Sequence, residues 1–158
     1  MRHAIADPAK PGEPDADRAL TPDGKKKLRE VLKVAKAAGL TPSLILTSPY
    51  RRAVETAEIV ALQLGFKEEL LRTNALLPGS SAEEIWEEIR IHKDAAELLL
   101  VGHEPLLGQL AGHLLGAPNM LIDFKKGALI RVDMEQFPPQ PRGVLRWYLT
   151  PKLAGKAG

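Results

Sequence analysis

The stretch LILTSPYRRAVETA, residues 44–57, passes directly from a short apolar run into a helical pattern. Its first three residues form a continuous apolar run, which is typical of a strand covered by helices on both faces of a sheet. The apolar residues that follow recur at helical spacing over residues 50–65, and the pattern ends at Gly65, a residue type that often terminates helices. A buried strand that leads at once into a helix indicates an α/β domain.

The same order of strand and helix recurs further along the chain. The clearest strand signal is ELLLVGHE, residues 97–104, and PLLGQLAGHLLG, residues 105–116, follows it as a helical pattern. Two more helices are predicted, one running from an N-cap at Thr21 to a stop at Gly39, and one starting at Ser81.

The remaining segments complete the predicted architecture. ALIRVD, residues 128–133, and VLRWYLT, residues 144–150, alternate in polarity and are predicted to pair antiparallel, whereas residues 5–19 are rich in Pro, Asp and Gly and predict an irregular loop. Helices interleaved with strands indicate an α/β three-layer sandwich, with a mostly parallel sheet and helices on both faces. We expect a single domain over residues 1–153 and a disordered tail over residues 154–158.

The composition excludes several classes of protein. Lys and Arg total 22 against 20 Asp and Glu, which gives a net charge of +2, too balanced for nucleic-acid binding driven by bulk charge. Without cysteine the chain has no disulfide, thiolate metal site or thiol nucleophile. Its apolar runs are far shorter than the ~20 residues of a membrane span, and its start lacks a signal-peptide pattern. We expect a soluble, cytoplasmic protein with no nucleic-acid or membrane partner.

Histidines and arginines stand at the ends of the predicted strands. Arg51 and Arg52 follow the first strand, His103 follows the clearest one, and Arg2 and His3 precede a loop. In open α/β sheets ligands bind beyond the carboxyl ends of the strands, where helix N-termini favour anions. The set fits phosphoryl transfer through a covalent histidine intermediate, because imidazole can attack phosphorus while guanidinium groups bind its oxygens.

Three blocks of the sequence resemble the signatures of one family. Arg2-His3-Ala4 resembles the Arg-His-Gly signature of the histidine phosphatase superfamily, LTSPYRRAVETA resembles its Ser-Pro-x-x-Arg-Ala-x-x-Thr block, and VGHEP is similar to its second-histidine block. The segments DRALTPDG and KKGALIRVD resemble the small phosphohistidine phosphatases of the SixA type, and the resemblance covers nearly the whole chain. It implies a phosphoglycerate mutase-like fold and a phosphatase that needs no cofactor.

The resemblance also implies a role for each matching residue. It makes His3 the nucleophile, Arg2 and Arg52 phosphate ligands, and His103 the second histidine, which also binds phosphate. The spacing of the Ser-Pro block selects Arg52 over the arginine before it, which is expected on the helix surface. Arg18, in DRALT, matches a further position that reaches the phosphate.

The sequence departs from the family at its start. In the family an apolar strand precedes the Arg-His pair, whereas here only Met1 stands ahead of Arg2. Either a strand upstream of Met1 is missing from this sequence, or His3 is held only by the residues that follow it.

A second departure concerns the general acid. Larger members of the superfamily carry a carboxylate beyond the second block, but NALLPGSS, residues 74–81, offers none. Glu83 and Glu84 are the nearest candidates, and their EEIWEE setting indicates a solvated helix face. Cleavage of a P–N bond releases an imidazole, which needs less protonation than an alkoxide. The missing acid therefore favours phosphohistidine over phosphate esters.

Other interpretations of the histidines carry less support. A metal site at His3 and His103 is not expected, because the flanking arginines repel a cation and the ligand set is too small. His92 and His113 lie within helical patterns and are expected to be structural or exposed.

The expected partner is a phosphorylated protein with a phosphohistidine domain, or a small phosphorylated substrate. Three alternatives remain open: a broad small-molecule phosphomonoesterase, a mutase, and a non-catalytic module that binds phosphate or phosphoproteins without turnover. Rates on a phosphohistidine peptide and on aryl and sugar phosphates distinguish these alternatives.

Overall fold

The structure is a computed structural model that describes residues 1–157 of the chain. The strands are β1 (Leu44–Thr47), β2 (Leu71–Arg72), β3 (Leu98–Val101), β4 (Leu129–Asp133) and β5 (Val144–Leu149). The helices are α1 (Pro22–Ala37), α2 (Arg51–Leu64), α3 (Ala82–Ile91), α4 (Leu106–Leu114) and α5 (Pro151–Ala154). Short 3-10 turns at Asp15–Asp17 and Asn74–Leu76 lie in two of the connections.

The strands form a parallel sheet and an antiparallel hairpin. The parallel sheet has the order β2-β1-β3, and in its register Leu46 of β1 lies between Leu71 of β2 and Leu100 of β3. Strands β4 and β5 pair antiparallel, as their alternating patterns predict. The parallel order aligns the carboxyl ends of β1 and β3 at one edge, from which α2 and α4 begin.

The first three residues join the parallel sheet to the hairpin. The nitrogen of Gly102, just after β3, donates to the Met1 carbonyl at 3.1 Å, and the His3 nitrogen donates back to Gly102 at 2.9 Å. On the other side the Arg2 nitrogen donates to the carbonyl of Ala128, just before β4, at 3.1 Å. Residues on both sides therefore hold His3 by strand-type hydrogen bonds at the carboxyl end of β3.

Helices cover both faces of the parallel sheet. Ile45 of β1 packs in one core cluster with Leu28 of α1 and Val60 of α2, and each of these side chains is fully buried. The next residue, Leu46, packs on the opposite face with Trp86 of α3. Successive residues of a strand point to opposite faces, so two cores form and the chain is a three-layer α/β sandwich.

Local sequence signals set the start of α1, and a glycine sets its contact with the segment that follows His3. The Thr21 side chain accepts from the Gly24 nitrogen at 2.9 Å, and Pro22 occupies the first helical position. A Cβ on Gly24 would lie 2.3 Å from the carbonyl oxygen of Ile5. Only glycine lets α1 approach the segment that follows His3 so closely.

The C-terminal segment adds a short helix to the first core. Ala154, the last residue of α5, is 3% exposed and packs in the same cluster as Leu28, so helical structure continues one residue into the predicted tail. Gly158 lies outside the described residues, and disorder over the rest of the tail stays a prediction. Among residues 1–157, each helix is too short or too polar to cross a membrane.

Candidate active site

The structure brings together three residues that the sequence places at strand ends. His3, Arg52 and His103 are 5%, 4% and 2% exposed, and they meet at the carboxyl edge of the parallel sheet. The ring centroids of the two histidines lie 5.2 Å apart. Polar side chains this deeply buried require partners, so their hydrogen bonds define what the site can do.

His3 has an unprotonated ring nitrogen at the site. Its Nδ1 lies 2.7 Å from the Ala4 carbonyl oxygen, and because a carbonyl can only accept, Nδ1 carries the proton. The lone pair is therefore on Nε2, which accepts from Nε of Arg52 at 3.3 Å. Burial, more than the neighbouring positive groups, lowers the pKa of His3 to about 3. The imidazole is neutral at pH 7, as a nucleophile must be.

Arg2 points a donor into the same region. Its Nη1 donates to the Phe124 carbonyl at 2.8 Å, which anchors one end of the guanidinium, while its Nε is buried without a hydrogen-bond partner. Burial lowers the pKa of Arg2, and the nearby carboxylate of Glu104 partly offsets this effect. The side chain is held with an unpaired donor available for a ligand.

Ser48 and Tyr50 orient His103. The Ser48 Oγ lies 2.7 Å from Nε2 of His103 and accepts from the Tyr50 nitrogen at 3.3 Å, and among residues 1–157 Nε2 is the acceptor available to the buried Ser48 hydroxyl proton. This pattern assigns the proton of His103 to Nδ1, an atom that is buried without a partner. Burial, followed by the charge of Arg52, lowers the pKa of His103 to about 4. A neutral His103 thus offers an N–H donor to the site.

The two unpaired donors indicate what the pocket binds. Among residues 1–157, the buried side-chain atoms without a partner are Arg2 Nε, His103 Nδ1 and Nε2 of the remote His113. Buried polar atoms are rarely left unpaired, and the unpaired atoms of Arg2 and His103 are both donors. An anion with several acceptor oxygens satisfies them, and a phosphoryl group at His3 Nε2 is such an anion.

Arg52 is engaged by a residue that the sequence did not single out. Its Nη1 donates to the Asp15 carbonyl at 2.7 Å and its Nη2 to the Asp15 carboxylate at 3.0 Å. The guanidinium also lies 5.0 Å from the centroid of the Tyr50 ring. Arg18 donates through Nε to the same carboxylate at 2.8 Å and through Nη1 to the Asp7 carbonyl at 3.2 Å. The bonds of Arg18 run to Asp15 and Asp7, so its role as a phosphate ligand stays a prediction.

The other polar residues considered from the sequence lie away from the pocket. Arg51 is exposed and pairs with Glu55 at 2.8 Å. Glu83 and Glu84 are exposed on α3, in agreement with the solvated helix face expected for them. Residues 1–157 contain no cluster of three or more His, Cys, Asp or Glu side chains that could hold a metal ion.

The structure thus adds three residues to those that the sequence singled out. Ser48 and Tyr50 lie within the quoted Ser-Pro block, so their position was known but their contacts were not. Asp15 lies in the predicted irregular loop, three residues before Arg18, where an acidic residue is an ordinary surface group. Its contact with α2 depends on the tertiary fold, and nothing in the local sequence indicates it.

An apolar cavity lies elsewhere in the molecule. A cavity of about 480 Å³ is lined by residues of β3 and β4, among them Leu98 and Leu129, and by Met1 and Trp147. Its lining is dominated by apolar residues and includes neither histidine of the site. The candidate active site is therefore placed at the histidines, where His3 has an unprotonated ring nitrogen and His103 an unpaired donor.

Comparison with known sequences identifies a family. The model of the histidine phosphatase superfamily (branch 1) matches residues 1–76, which include the Arg-His pair and the Ser-Pro block. An uncharacterised protein of Picosynechococcus sp. is 34% identical over 132 residues, which are 82% of this chain and 80% of the relative.

Comparison with solved structures confirms the predicted fold class. The protein histidine phosphatase SixA in complex with tungstate superposes with a TM-score of 0.85 at 24% identity, over 96% of this chain and 95% of that one. A protein of Agrobacterium tumefaciens assigned as SixA superposes with a TM-score of 0.80 at 22% identity, over 95% of this chain and 94% of that one. A mycobacterial glucosyl-3-phosphoglycerate phosphatase in complex with inorganic phosphate superposes with a TM-score of 0.65 at 16% identity, over 92% of this chain and 93% of that one.

Proposed function

Because the chain belongs to the histidine phosphatase superfamily, we propose that it is a phosphohistidine phosphatase that acts through a phosphorylated His3. The observation that carries this proposal is the neutral His3, whose lone pair on Nε2 faces a pocket with unpaired donors on Arg2 and His103. The geometry supplies a nucleophile and the groups that stabilise the charge on phosphorus.

The first step transfers the phosphoryl group to the enzyme. Nε2 of His3 attacks phosphorus, a new P–N bond forms, and the bond between phosphorus and the substrate's ring nitrogen breaks. The other nitrogen of the substrate's ring carries a proton taken from solvent, so the ring leaves as neutral imidazole with the electron pair of the broken bond. Arg2 and Arg52 bind the oxygens of the phosphoryl group, and Nδ1–H of His103 donates to another, which stabilises the charge that develops in the transition state.

The second step releases orthophosphate. Water attacks phosphorus, the P–Nε2 bond breaks, and His3 returns with its lone pair on Nε2. Hydrogen bonding of Nδ1 to the Ala4 carbonyl keeps the ring in one orientation through both steps, because the carbonyl at 2.7 Å accepts only from a protonated nitrogen. The enzyme therefore starts each cycle in the same tautomer.

The leaving group selects the substrate class. The carboxylate that binds Arg52, Asp15, is bound by Arg18 as well, and these hydrogen bonds outweigh the effect of burial and lower its pKa. A carboxylate held in its charged form is a poor proton donor. The substrate's imidazole can take a proton from solvent on its other ring nitrogen and leave as a neutral molecule, whereas an alkoxide needs a proton on the bridging oxygen itself, so this site favours phosphohistidine over alkyl phosphate esters.

The substrate we propose is a phosphorylated histidine domain of a signalling protein in the cytoplasm. The likeness to SixA, whose structure is described as that of a protein histidine phosphatase, supports a protein substrate. The likeness to a phosphatase of glucosyl-3-phosphoglycerate supports the alternative of a small phosphate ester, with a lower TM-score of 0.65.

A panel of three substrates tests this function. We expect turnover of a phosphohistidine peptide and of an aryl phosphate, and a kcat/KM on a sugar phosphate lower by at least about a hundredfold. A double variant with Glu83→Gln and Glu84→Gln should keep the phosphohistidine rate, because both groups are exposed on α3. Comparable rates on the sugar phosphate would move the protein to the ester-cleaving phosphatases, and binding of phosphopeptide without turnover would make it a binding module.

A further inference from the structure

The carboxylate of Asp15 occupies the two arginines expected to bind phosphate. Its Oδ2 accepts from Nη2 of Arg52 at 3.0 Å, and its Oδ1 accepts from Nε of Arg18 at 2.8 Å. The Asp15 carbonyl accepts from Nη1 of Arg52 at 2.7 Å as well. Two oxygens of one anion thus bridge two guanidinium groups, the arrangement that two oxygens of a phosphoryl group would also adopt.

This carboxylate lies next to the nucleophile. Nε of Arg52 donates to Nε2 of His3 at 3.3 Å, so His3 and Asp15 bind nitrogens of a single guanidinium. A phosphoryl group on Nε2 brings further negative charge beside Asp15. Two like charges that bind one guanidinium repel each other, and the shared arginine cannot serve both anions fully.

The contact is built so that it can be broken. The Asp15 side chain is 54% exposed and belongs to a single 3-10 turn in the loop between the Arg-His pair and α1. Salt bridges of such exposed carboxylates stabilise little. Arg52, by contrast, is 4% exposed and stays fixed by α2 and by its bond to His3.

We propose that Asp15 is a displaceable counter-anion that sets the affinity of the site for phosphate, a proposal that rests on the phosphoryl-binding site described above. The carboxylate holds Arg52 and Arg18 in the free enzyme, and the phosphoryl group of the substrate displaces it. When hydrolysis frees orthophosphate, Asp15 competes for the same two arginines and favours release of the product. A pocket with only cationic groups would retain orthophosphate and inhibit itself.

Binding of orthophosphate to the free enzyme tests this role. We would measure the dissociation constant by titration calorimetry for the wild type, Asp15→Asn and Asp17→Asn. Asp17 lies on the same turn and is exposed, so its variant removes one negative charge near the site without releasing an arginine. We expect Asp15→Asn to bind orthophosphate about three- to fivefold more tightly, since a competing ion pair is lost. Asp17→Asn should stay within about twofold of the wild type, since an exposed charge is screened.

The outcomes separate this role from its alternatives. Unchanged or weaker binding in Asp15→Asn would overturn the proposal and make Asp15 a residue that only positions Arg52. Equal tightening in both variants would also overturn it, because net charge alone would then be the cause. Asp15→Ala provides a second variant that keeps the main-chain bond to Arg52, and it should tighten binding in the same way.

Phosphate affinity is measured without turnover, so this test and the test of function fail separately. If Asp15→Asn binds orthophosphate more tightly but the wild type cleaves no phosphohistidine peptide, the counter-anion role of Asp15 stands and the proposed function is contradicted. If the wild type cleaves the peptide but orthophosphate inhibits the wild type and Asp15→Asn equally, the proposed function stands and the counter-anion role of Asp15 is contradicted.

Discussion

The hydroxyl of Ser48 lies 2.7 Å from Nε2 of His103, and this contact decides which ring nitrogen of His103 carries the proton. Both residues are buried, with Ser48 fully inaccessible and His103 2% exposed. Among residues 1–157 the Ser48 hydroxyl has no other acceptor within hydrogen-bond distance, so its proton goes to Nε2. The histidine therefore directs Nδ1–H towards the anion pocket.

Replacing Ser48 by alanine should release this orientation. Groups that orient a functional histidine typically contribute about 10- to 100-fold to activity, so we expect Ser48→Ala to lower kcat/KM on a phosphohistidine peptide within that range. Ser80→Ala, at a half-buried serine that precedes α3, serves as the control. Equal rates for the wild type and Ser48→Ala would show that His103 is oriented by its packing alone.

Arg52 and its neighbour Arg51 form a matched pair of variants. Arg52 is buried against His3, so Arg52→Ala should lose ~2–4 kcal/mol of transition-state stabilisation in kcat/KM. Arg51 makes an exposed pair with Glu55, and Arg51→Ala should change kcat/KM by less than about threefold. Steady-state kinetics of both variants on one substrate checks this, and a larger loss in Arg51→Ala would reverse the assignment.

The buried histidines should make the fold sensitive to acid. Burial lowers the pKa of His3 to about 3 and that of His103 to about 4, from a reference value of 6.5. At a pH between the reference value and the lowered value of each histidine, the unfolded chain binds a proton that the folded chain does not. The stabilisation is therefore complete above about pH 6.5 and is lost as the pH falls towards 4.

Denaturant unfolding at pH 7 and pH 4.5 measures this effect. The free energy of unfolding of the wild type should fall by about 2 kcal/mol more than that of His3→Asn over this interval, since one proton-binding difference is removed. The same loss in wild type and His3→Asn would mean that His3 titrates normally in the folded state.

Gly24 links the helix α1 to the site. A Cβ at this position would meet the Ile5 carbonyl at 2.3 Å, so Gly24→Ala should destabilise the fold by about 1–3 kcal/mol by forcing the backbone apart. Gly79→Ala, where a Cβ has no neighbour within 4 Å, should stay within about 0.5 kcal/mol of the wild type. Thermal unfolding of both variants gives the comparison, and equal melting temperatures would show that α1 can move away from Ile5.

The sequence alone predicted the elements whose signals are local. The strand at LIL, the helix that follows it and the N-cap at Thr21 appear where the patterns place them, because continuous apolar runs, helical spacing and capping residues act within a few positions. Strand β2 (Leu71–Arg72) was missed, since two residues carry no periodicity and pair only because β1 is adjacent.

The strand-like role of the first residues depended on long-range pairing. Nothing in Met1–His3 has the length of a strand, yet these residues bond to Gly102 and Ala128, which lie about a hundred residues away in the sequence. The same limit applies to the site. The strand-end rule and the family blocks brought His3, Arg52 and His103 together, whereas the contact of Asp15 with Arg52 arises only when a loop folds onto α2.

The central claim is that His3 carries the phosphoryl group, and detection of the phosphoenzyme tests it most directly. The wild type would be mixed with a phosphohistidine peptide in a single turnover, quenched in alkali, where phosphohistidine survives, and digested for mass spectrometry. We expect phosphate on the peptide that contains His3, loss of this signal in acid, and neither phosphoenzyme nor turnover in His3→Ala. Turnover by His3→Ala, or phosphate on a different residue of the wild type, would contradict the covalent mechanism.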